Sequence, residues 1–366
     1  MDVIEMDMPI PAAAGSSVLA GAIDCDVHPG APRRADLMPY FDAYWRETMM
    51  SRDIDVLDLN SYPPNAPLSA RPDWRLPAGE TRTAERLSRD VLDHFGLRHA
   101  ILNCLSAGLV VYNEYIGGAM CRATNDWIAK SWLDSDPRLR ASIIVSLANP
   151  ETAAEEIERL AGDRRFVQVM VLAAGELPLG RKFFWPLYKA AEKHGLPVAL
   201  HAGSGYRHAT TQSGYPSTLA EDYAGVPQFF ASQIVSLIAE GVFAKFPTLR
   251  FVLTESGVTW LPSLMWRMSK DWRGVRTEVP WVKQPPTWLM REHLRLTCQP
   301  LDAPADEVAR IVEHLGSDEM LLFATDYPHW HFDGDSALPP GLPGSLRRKL
   351  LVENALATYP RLEAAS

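Results

Sequence analysis

Ile23-Asp24-Cys25-Asp26-Val27-His28 and Leu321-Leu322-Phe323-Ala324-Thr325-Asp326 are two short β-prone runs, each ending in residues that do not belong in an apolar core. Strand side chains alternate, so Asp24, Asp26 and His28 share one face. Two buried carboxylates each carry a large desolvation cost unless they are paired or hold a cation. A plainer reading also fits the first run: a hydrogen-bonded Asp and His that tie off a strand. What the remaining strands deliver to the same place decides between the two.

Working outward, six further runs of this kind can be found, giving expected strands at 22–26, 99–102, 142–145, 167–171, 197–201, 250–254, 294–297 and 321–324. Amphipathic stretches of helical length fit between them, for instance 152–161 and 183–194, where Gly195 and Pro197 supply a stop. Alternating strands and helices imply a parallel sheet, and eight repeats imply its closure. The expected fold is α/β, a (β/α)8 TIM barrel with long βα loops forming a lid. A flexible arm at 1–20 precedes one domain at 21–366, which carries an insertion at about 44–82. Segments 44–82, 203–225 and 272–291 exceed the usual strand–helix connection. The first contains Tyr62, Pro63, Pro64, Pro67, Pro72 and Trp74, which suits a rigid lid or subunit contact better than a linker.

The fifth expected strand delivers His201, the sixth Glu255 and the eighth Asp326, with His329 and His331 just beyond. Together with Asp26 and His28 these stand at the C-terminal strand ends, where barrel enzymes build their sites. Carboxylate oxygens mixed with imidazole nitrogens suit a catalytic divalent metal, zinc first and manganese or iron as alternatives. Arg207 could clamp a substrate carboxylate through two parallel hydrogen bonds, or could be a solvated loop residue. Trp260, Trp266, Trp272 and Trp281 are expected in core or subunit packing, and His94, His99, His194, His293 and His314 in structural roles.

A net charge of −9 with no Lys/Arg run excludes a nucleic-acid partner, since phosphate binding needs clustered positive charge. No apolar run reaches the roughly 18 residues of a membrane span. Asp2, Glu5 and Asp7 stand where a secretion signal would carry positive charge. Cys25, Cys104, Cys121 and Cys298 lack C-x-x-C spacing, and three fall inside expected strands, so buried free thiols in a reducing cytoplasm are expected.

Four stretches make the chain resemble the amidohydrolase-related family, which includes aminocarboxymuconate semialdehyde decarboxylase and aromatic-acid decarboxylases. They are IDCDVHP at 23–29, LHAGSG at 200–205, FPTLRFVLTESGVTWLP at 246–262 and LLFATDYPHW at 321–330. The resemblance implies metal ligation by His201 and Asp326. It also implies ligation by the first-strand pair, where Asp26 replaces the first histidine of His-x-His and His28 keeps the second. The family's sixth-strand histidine falls on Glu255, a departure. A branch with Asp-x-Asp-x-His and Glu-Ser-Gly resembles two-metal monooxygenases of the 2-aminoisobutyrate hydroxylase type, in which Asp24 or Glu255 would serve a second ion.

These features lead to an enzyme acting on a small organic acid, by metal-activated water with Asp326 as base, or by decarboxylation with His208 or His329 as proton donor. The alternatives are a dinuclear iron or manganese monooxygenase, or a metal-bearing accessory subunit of such an enzyme. A homo- or hetero-oligomer is expected. An active barrel should keep an open mouth beside the metal; a retired one would fill it with Trp330, His331 or Trp185.

Overall fold

Apolar strands buried on both faces need helices over them, and a parallel sheet with crossover helices provides that cover. The computed structural model describes residues 17–55, 70–77, 79–203, 208–209, 211, 214–338 and 342–362. Its strands are β1 (Ile23–Val27), β2 (His99–Leu102), β3 (Leu139–Ile144), β4 (Phe166–Leu172), β5 (Val198–His201), β6 (Phe251–Thr254), β7 (Leu294–Thr297) and β8 (Leu321–Leu322). They stand side by side in chain order, every neighbouring pair parallel. Backbone bonds between β1 and the chain after β8 bring the ring round. The Cys25 amide donates to the Phe323 carbonyl (2.9 Å), the Asp326 amide to the Asp26 carbonyl (3.0 Å) and the His28 amide to the Tyr327 carbonyl (2.7 Å). The expected (β/α)8 barrel is the observed fold.

Regular pairing in β8 stops at Leu322, short of the expected 324, because the amide of Phe323 turns to the carbonyl of Leu350. β3 begins three residues before the expected 142 and takes in Arg140, a residue that argues against a buried strand. Its Nη1 donates at the strand's foot to the carbonyls of Pro137 (2.7 Å) and Leu139 (2.8 Å). The expected helices run over Pro150–Leu160 and Trp185–Lys193.

The long segments prove to be of different kinds. Segment 272–291 is half helical, since Leu261–Val275 and Pro286–His293 cover its two ends. The part between them joins two helices of one crossover, so it is not a loop over the mouth. Segment 203–225 ends in a helix, Leu219–Gly225, started by a reciprocal Thr218–Glu221 capping box. In the first segment, helix Ala43–Ser51 is capped by Asp42, whose carboxylate accepts from the Trp45 amide at 2.8 Å. Tyr62, Pro63, Pro64 and Pro67 lie outside the described residues. Where description resumes, Ala70 bridges His329, the Arg71 amide donates to the Pro328 carbonyl (2.8 Å), and buried Trp74 packs on Tyr327 (4.8 Å) and Phe332 (5.8 Å). This segment therefore covers the turn that follows β8.

Residues 1–16 of the expected arm lie outside the described residues, whereas Leu19 is wholly buried, so packing starts ahead of residue 21. One large core surrounds and fills the barrel, and a satellite of Leu37, Phe41, Met49, Ala107, Met120 and Ala123 seats helix Ala43–Ser51. All four cysteines are free and buried, but only Cys25 lies in a strand; Cys104 and Cys298 fall just past β2 and β7, and Cys121 lies in helix Glu114–Ile128. Trp260 and Trp272 pack half-buried on the core, while Trp266 and Trp281 are exposed. Among the described residues no helix is long and apolar enough to cross a membrane.

Candidate metal centre

The ends of β1, β5, β6 and β8 converge as the alternation of their side chains requires. Asp26 and His28 come from β1 and its first residue beyond, His201 ends β5, Glu255 follows β6, and Asp326 follows β8. Two of these carboxylates stand on left-handed backbone, Glu255 at φ 60° and Asp326 at φ 54°. Strained backbone of this kind persists where the surrounding structure holds it, and it clusters at functional sites.

The donors face one another at short range. Asp26 Oδ1 lies 3.6 Å from both His28 Nε2 and His201 Nε2, and His28 Nε2 lies 3.0 Å from Asp326 Oδ1. His329 Nδ1 is 2.9 Å from Asp326 Oδ1, and Glu255 lies 3.8 Å from both His201 and His329. Two overlapping groups result: Asp26, His28 and His201, and His28, Glu255, Asp326 and His329. Donors that each bind an ion at about 2.0–2.2 Å stand no more than roughly 4.4 Å apart, and the separations above satisfy this.

Backbone contacts fix which nitrogen each ring presents. His28 Nδ1 donates to the Asn103 carbonyl (2.9 Å) and His201 Nδ1 to the Ala202 carbonyl (2.8 Å). A carbonyl accepts only, so both rings turn Nε2 toward the centre, as a hydrogen bond from the far ring nitrogen does for a metal-bound histidine. Asp26 Oδ2, Asp326 Oδ2 and His201 Nε2 are buried and have no hydrogen-bond partner. Such atoms are costly unless something else satisfies them, and a cation fits this donor set.

Electrostatics points the same way. Burial works against charge on His28, but the carboxylates of Asp26 and Asp326 overcome it and lift the imidazole to about 10. Charge that would hold a proton so firmly also draws a metal ion. Burial, with Asp326 beside it, raises the Glu255 carboxyl to about 8. Burial opposes the Asp326 charge too, yet His329 and His28 hold its carboxyl well below the ordinary range.

Two expected residues are not gathered here, and a third lies outside the described residues. Asp24 shares the face of Asp26 but stands in neither group: its carboxylate accepts from the amides of Asp26 (3.1 Å) and Thr325 (3.0 Å) and from the Thr325 hydroxyl (2.6 Å). Those bonds pin β1 to the chain after β8. His208 lies apart, with Nε2 3.6 Å from Glu176, at the rim of an apolar pocket. Arg207 lies outside the described residues. A further group was not anticipated from the sequence, the uncharged network of Asn103, Ser142 and Gln168 beneath Asp26. Its only sequence signal is a run of amides and hydroxyls in or after strands otherwise apolar.

The pocket, of about 270 Å³, is lined at the C-terminal ends of β2, β3 and β4 by Leu109, Tyr112, Leu147, Leu172, Phe183 and Phe184, among others. Leu172 pairs with His201 in the sheet, so the pocket adjoins the donors. Trp330 is exposed and Trp185 packs on Phe246 (5.8 Å); neither lines it. A larger groove of about 710 Å³ lies away from the donors, between helices Glu114–Ile128 and Pro150–Leu160.

The sequence matches the amidohydrolase family over residues 23–361. It is 26% identical over 282 residues to the gamma-resorcylate decarboxylase of Polaromonas sp. strain JS666, covering 72% of this chain and 83% of that protein. Among solved structures, an amidohydrolase from Mycobacterium avium subsp. paratuberculosis K-10 superposes with a TM-score of 0.70 at 22% identity, over 93% of this chain and 99% of the other. A dihydroxybenzoic acid decarboxylase from Polaromonas sp. JS666, solved with manganese and 2-nitroresorcinol bound, superposes with a TM-score of 0.64 at 20% identity, over 93% and 97%. A family match spanning nearly the whole barrel, with its donors at the strand ends, makes the chain a member of the amidohydrolase family and an enzyme of the hydrolase/decarboxylase type.

Proposed function

We propose that the chain removes CO₂ from a small aromatic carboxylic acid, using one divalent metal held by Asp26, His28, His201 and Asp326. The observation that carries this reading is the juxtaposition of those donors with an apolar, aromatic-lined pocket at the same strand ends. A cavity of about 150 Å³ takes a benzene ring, so 270 Å³ leaves room for a substituted one. Similarity to gamma-resorcylate decarboxylase supports the same substrate class.

A divalent ion supplies Lewis acidity that orients a carboxylate and an adjacent oxygen. When the bond to CO₂ breaks, its electron pair stays on the ring carbon, which then takes a proton. We assign that proton to His329, which is partly exposed and bonded to Asp326, so it can be reloaded from solvent. Glu255 shapes the charge around His329 and His201. His208 belongs with Glu176 at the pocket rim, and Arg207 is retained on sequence grounds as a partner for a substrate carboxylate.

One ion is favoured because both donor groups depend on His28, whose only inward nitrogen is Nε2. Manganese suits the two carboxylates of the set and is the ion in the Polaromonas structure; zinc, the first expectation from the sequence, suits the two imidazoles and is the competitor. We also propose an oligomer, since Trp266, Trp281 and Trp288 are all exposed, and a reducing compartment, since four thiols stay unpaired.

The test is to load the purified protein with Mn²⁺ or Zn²⁺, count metal per chain by mass spectrometry, and follow CO₂ release from hydroxybenzoic acids beside hydrolysis of aryl amides. About one equivalent and CO₂ release are expected. Two equivalents of iron or manganese with oxygen consumption would favour the monooxygenase instead, and amide hydrolysis without CO₂ release would sink the decarboxylase.

A further inference from the structure

Beneath the metal donors, inside the barrel, the wholly buried Asn103 touches two of them at once. Its side-chain Nδ2 donates to Asp26 Oδ1 at 2.8 Å, and its backbone carbonyl accepts from His28 Nδ1 at 2.9 Å. The amide cannot turn over, because its oxygen is occupied: Ser142 Oγ donates to Asn103 Oδ1 at 2.5 Å and Gln168 Nε2 at 3.2 Å, while Gln168 Nε2 also reaches Ser142 Oγ at 2.9 Å. All three side chains are buried, so water does not compete for these bonds.

We infer that Asn103 is a positioning residue that sets the ligand geometry of the metal centre through both Asp26 and His28. Ser142 on β3 and Gln168 on β4 fix the direction of its amide. The amide therefore donates to Asp26 Oδ1 and holds the carboxylate in one orientation, while Oδ2 has no hydrogen-bond partner. The carbonyl fixes the tautomer of His28, so that Nε2 and not Nδ1 is offered to the ion. One asparagine therefore orients the Asp26 carboxylate and selects the nitrogen that His28 offers. Nothing in this network touches the substrate pocket as lined by the described residues, so its effect falls on the ion and not on substrate contacts.

The inference rests on the metal centre proposed above, and the experiment separates the two. Metal-stripped protein is titrated with Mn²⁺ against a fluorescent chelator, for the parent, Asn103→Leu, and Ser142→Ala combined with Gln168→Leu. Asn125→Leu is the control, because Asn125 is an equally buried asparagine that ties helix Glu114–Ile128 to β3 through Ile144 at 2.9 Å. Melting of each metal-free protein reports folding. Asn103→Leu leaves the carbonyl to His28 in place and tests the Asp26 arm alone. A 10- to 100-fold rise in the Mn²⁺ dissociation constant is expected for it, the range for lost outer-shell partners, with a smaller rise of about threefold to tenfold for the double variant. Asn125→Leu should lower the melting temperature without changing metal affinity. If the parent binds no ion, the metal centre itself is wrong. If the parent binds and Asn103→Leu binds as tightly, or Asn125→Leu weakens binding equally, Asn103 holds the fold and not the ion. Should Asn103→Leu fail to fold, the double variant decides: parent-like affinity in it overturns the inference.

Discussion

Asp326 and Asp24 show how two buried aspartates on neighbouring chain segments come to different ends. Asp24 spends its carboxylate on two amides and a hydroxyl, whereas Asp326 meets imidazoles, with Oδ2 making no hydrogen bond and His331 Nδ1 standing 3.8 Å from it. Asp326 also stands on left-handed backbone, which asparagine tolerates well. Asp326→Asn should therefore keep the fold but lower metal affinity and CO₂ release at least roughly 100-fold; a variant with parental metal content and rate would contradict the assignment. A second residue-scale expectation concerns His293, whose ring stacks on Phe243 at 4.3 Å and whose Nδ1 donates to the Leu249 carbonyl at 2.8 Å. Burial lowers its pKa, the carbonyl only partly opposing that. The unfolded chain then binds the proton more readily, so stability contributed by the neutral ring is full above about pH 6.5 and falls as the pH drops below it. Urea unfolding at pH 8 and pH 5.5 should show a larger loss for the parent than for His293→Gln, which cannot titrate; equal losses would remove His293 from the account. From the sequence, Asp24 and Asp26 were indistinguishable, since a two-residue period sends both to one face. Asn103 was invisible there because an uncharged residue past a strand carries no signal of what lies across the barrel.

At the scale of elements, strands were legible wherever apolar residues ran unbroken, as in β4 and β5, and less so where a charged residue bonds to nearby carbonyls, as with Arg140 in β3. Helices followed their caps. Asn149 accepts from the amides of Glu151 (3.0 Å) and Thr152 (3.2 Å), and Pro150 occupies the first turn, where its missing N–H costs nothing. Asn149→Ala should cost about 1 kcal/mol in chemical denaturation, without shifting metal content; no measurable loss would mean the cap is idle. The segment 272–291 reads from the sequence as an overlong connection because Pro280, Pro285 and Pro286 break the helical pattern, and only the structure shows that helices cover both of its ends.

For the whole molecule, the decisive fact is that charges from opposite sides of the ring meet at one end of it. Asp26, Asp326 and Glu255 lie close together, and without a cation their repulsion opposes the closed barrel. Metal removal with a chelator should lower the melting temperature, and returning Mn²⁺ at about 100 times its dissociation constant should restore roughly 2.7 kcal/mol. An unchanged melting curve on stripping would mean that the donors are balanced by protons and not by an ion. The same ring explains why β1 and the turn after β8, nearly 300 residues apart in the chain, share His28, Asp26 and Asp326 in one set of bonds.

The sequence alone determined the barrel, because the period and length of its apolar runs admit few other ways to bury them, and it named the strand ends that bear Asp26, His28, His201, Glu255 and Asp326. The tertiary structure decided which of those residues meet, that Asp24 bonds to Asp26 and Thr325, that His208 stands at the pocket rim, and that Asn103 touches two donors. Those outcomes depend on distances across the barrel between chain segments far apart in sequence, and local periodicity carries no record of them.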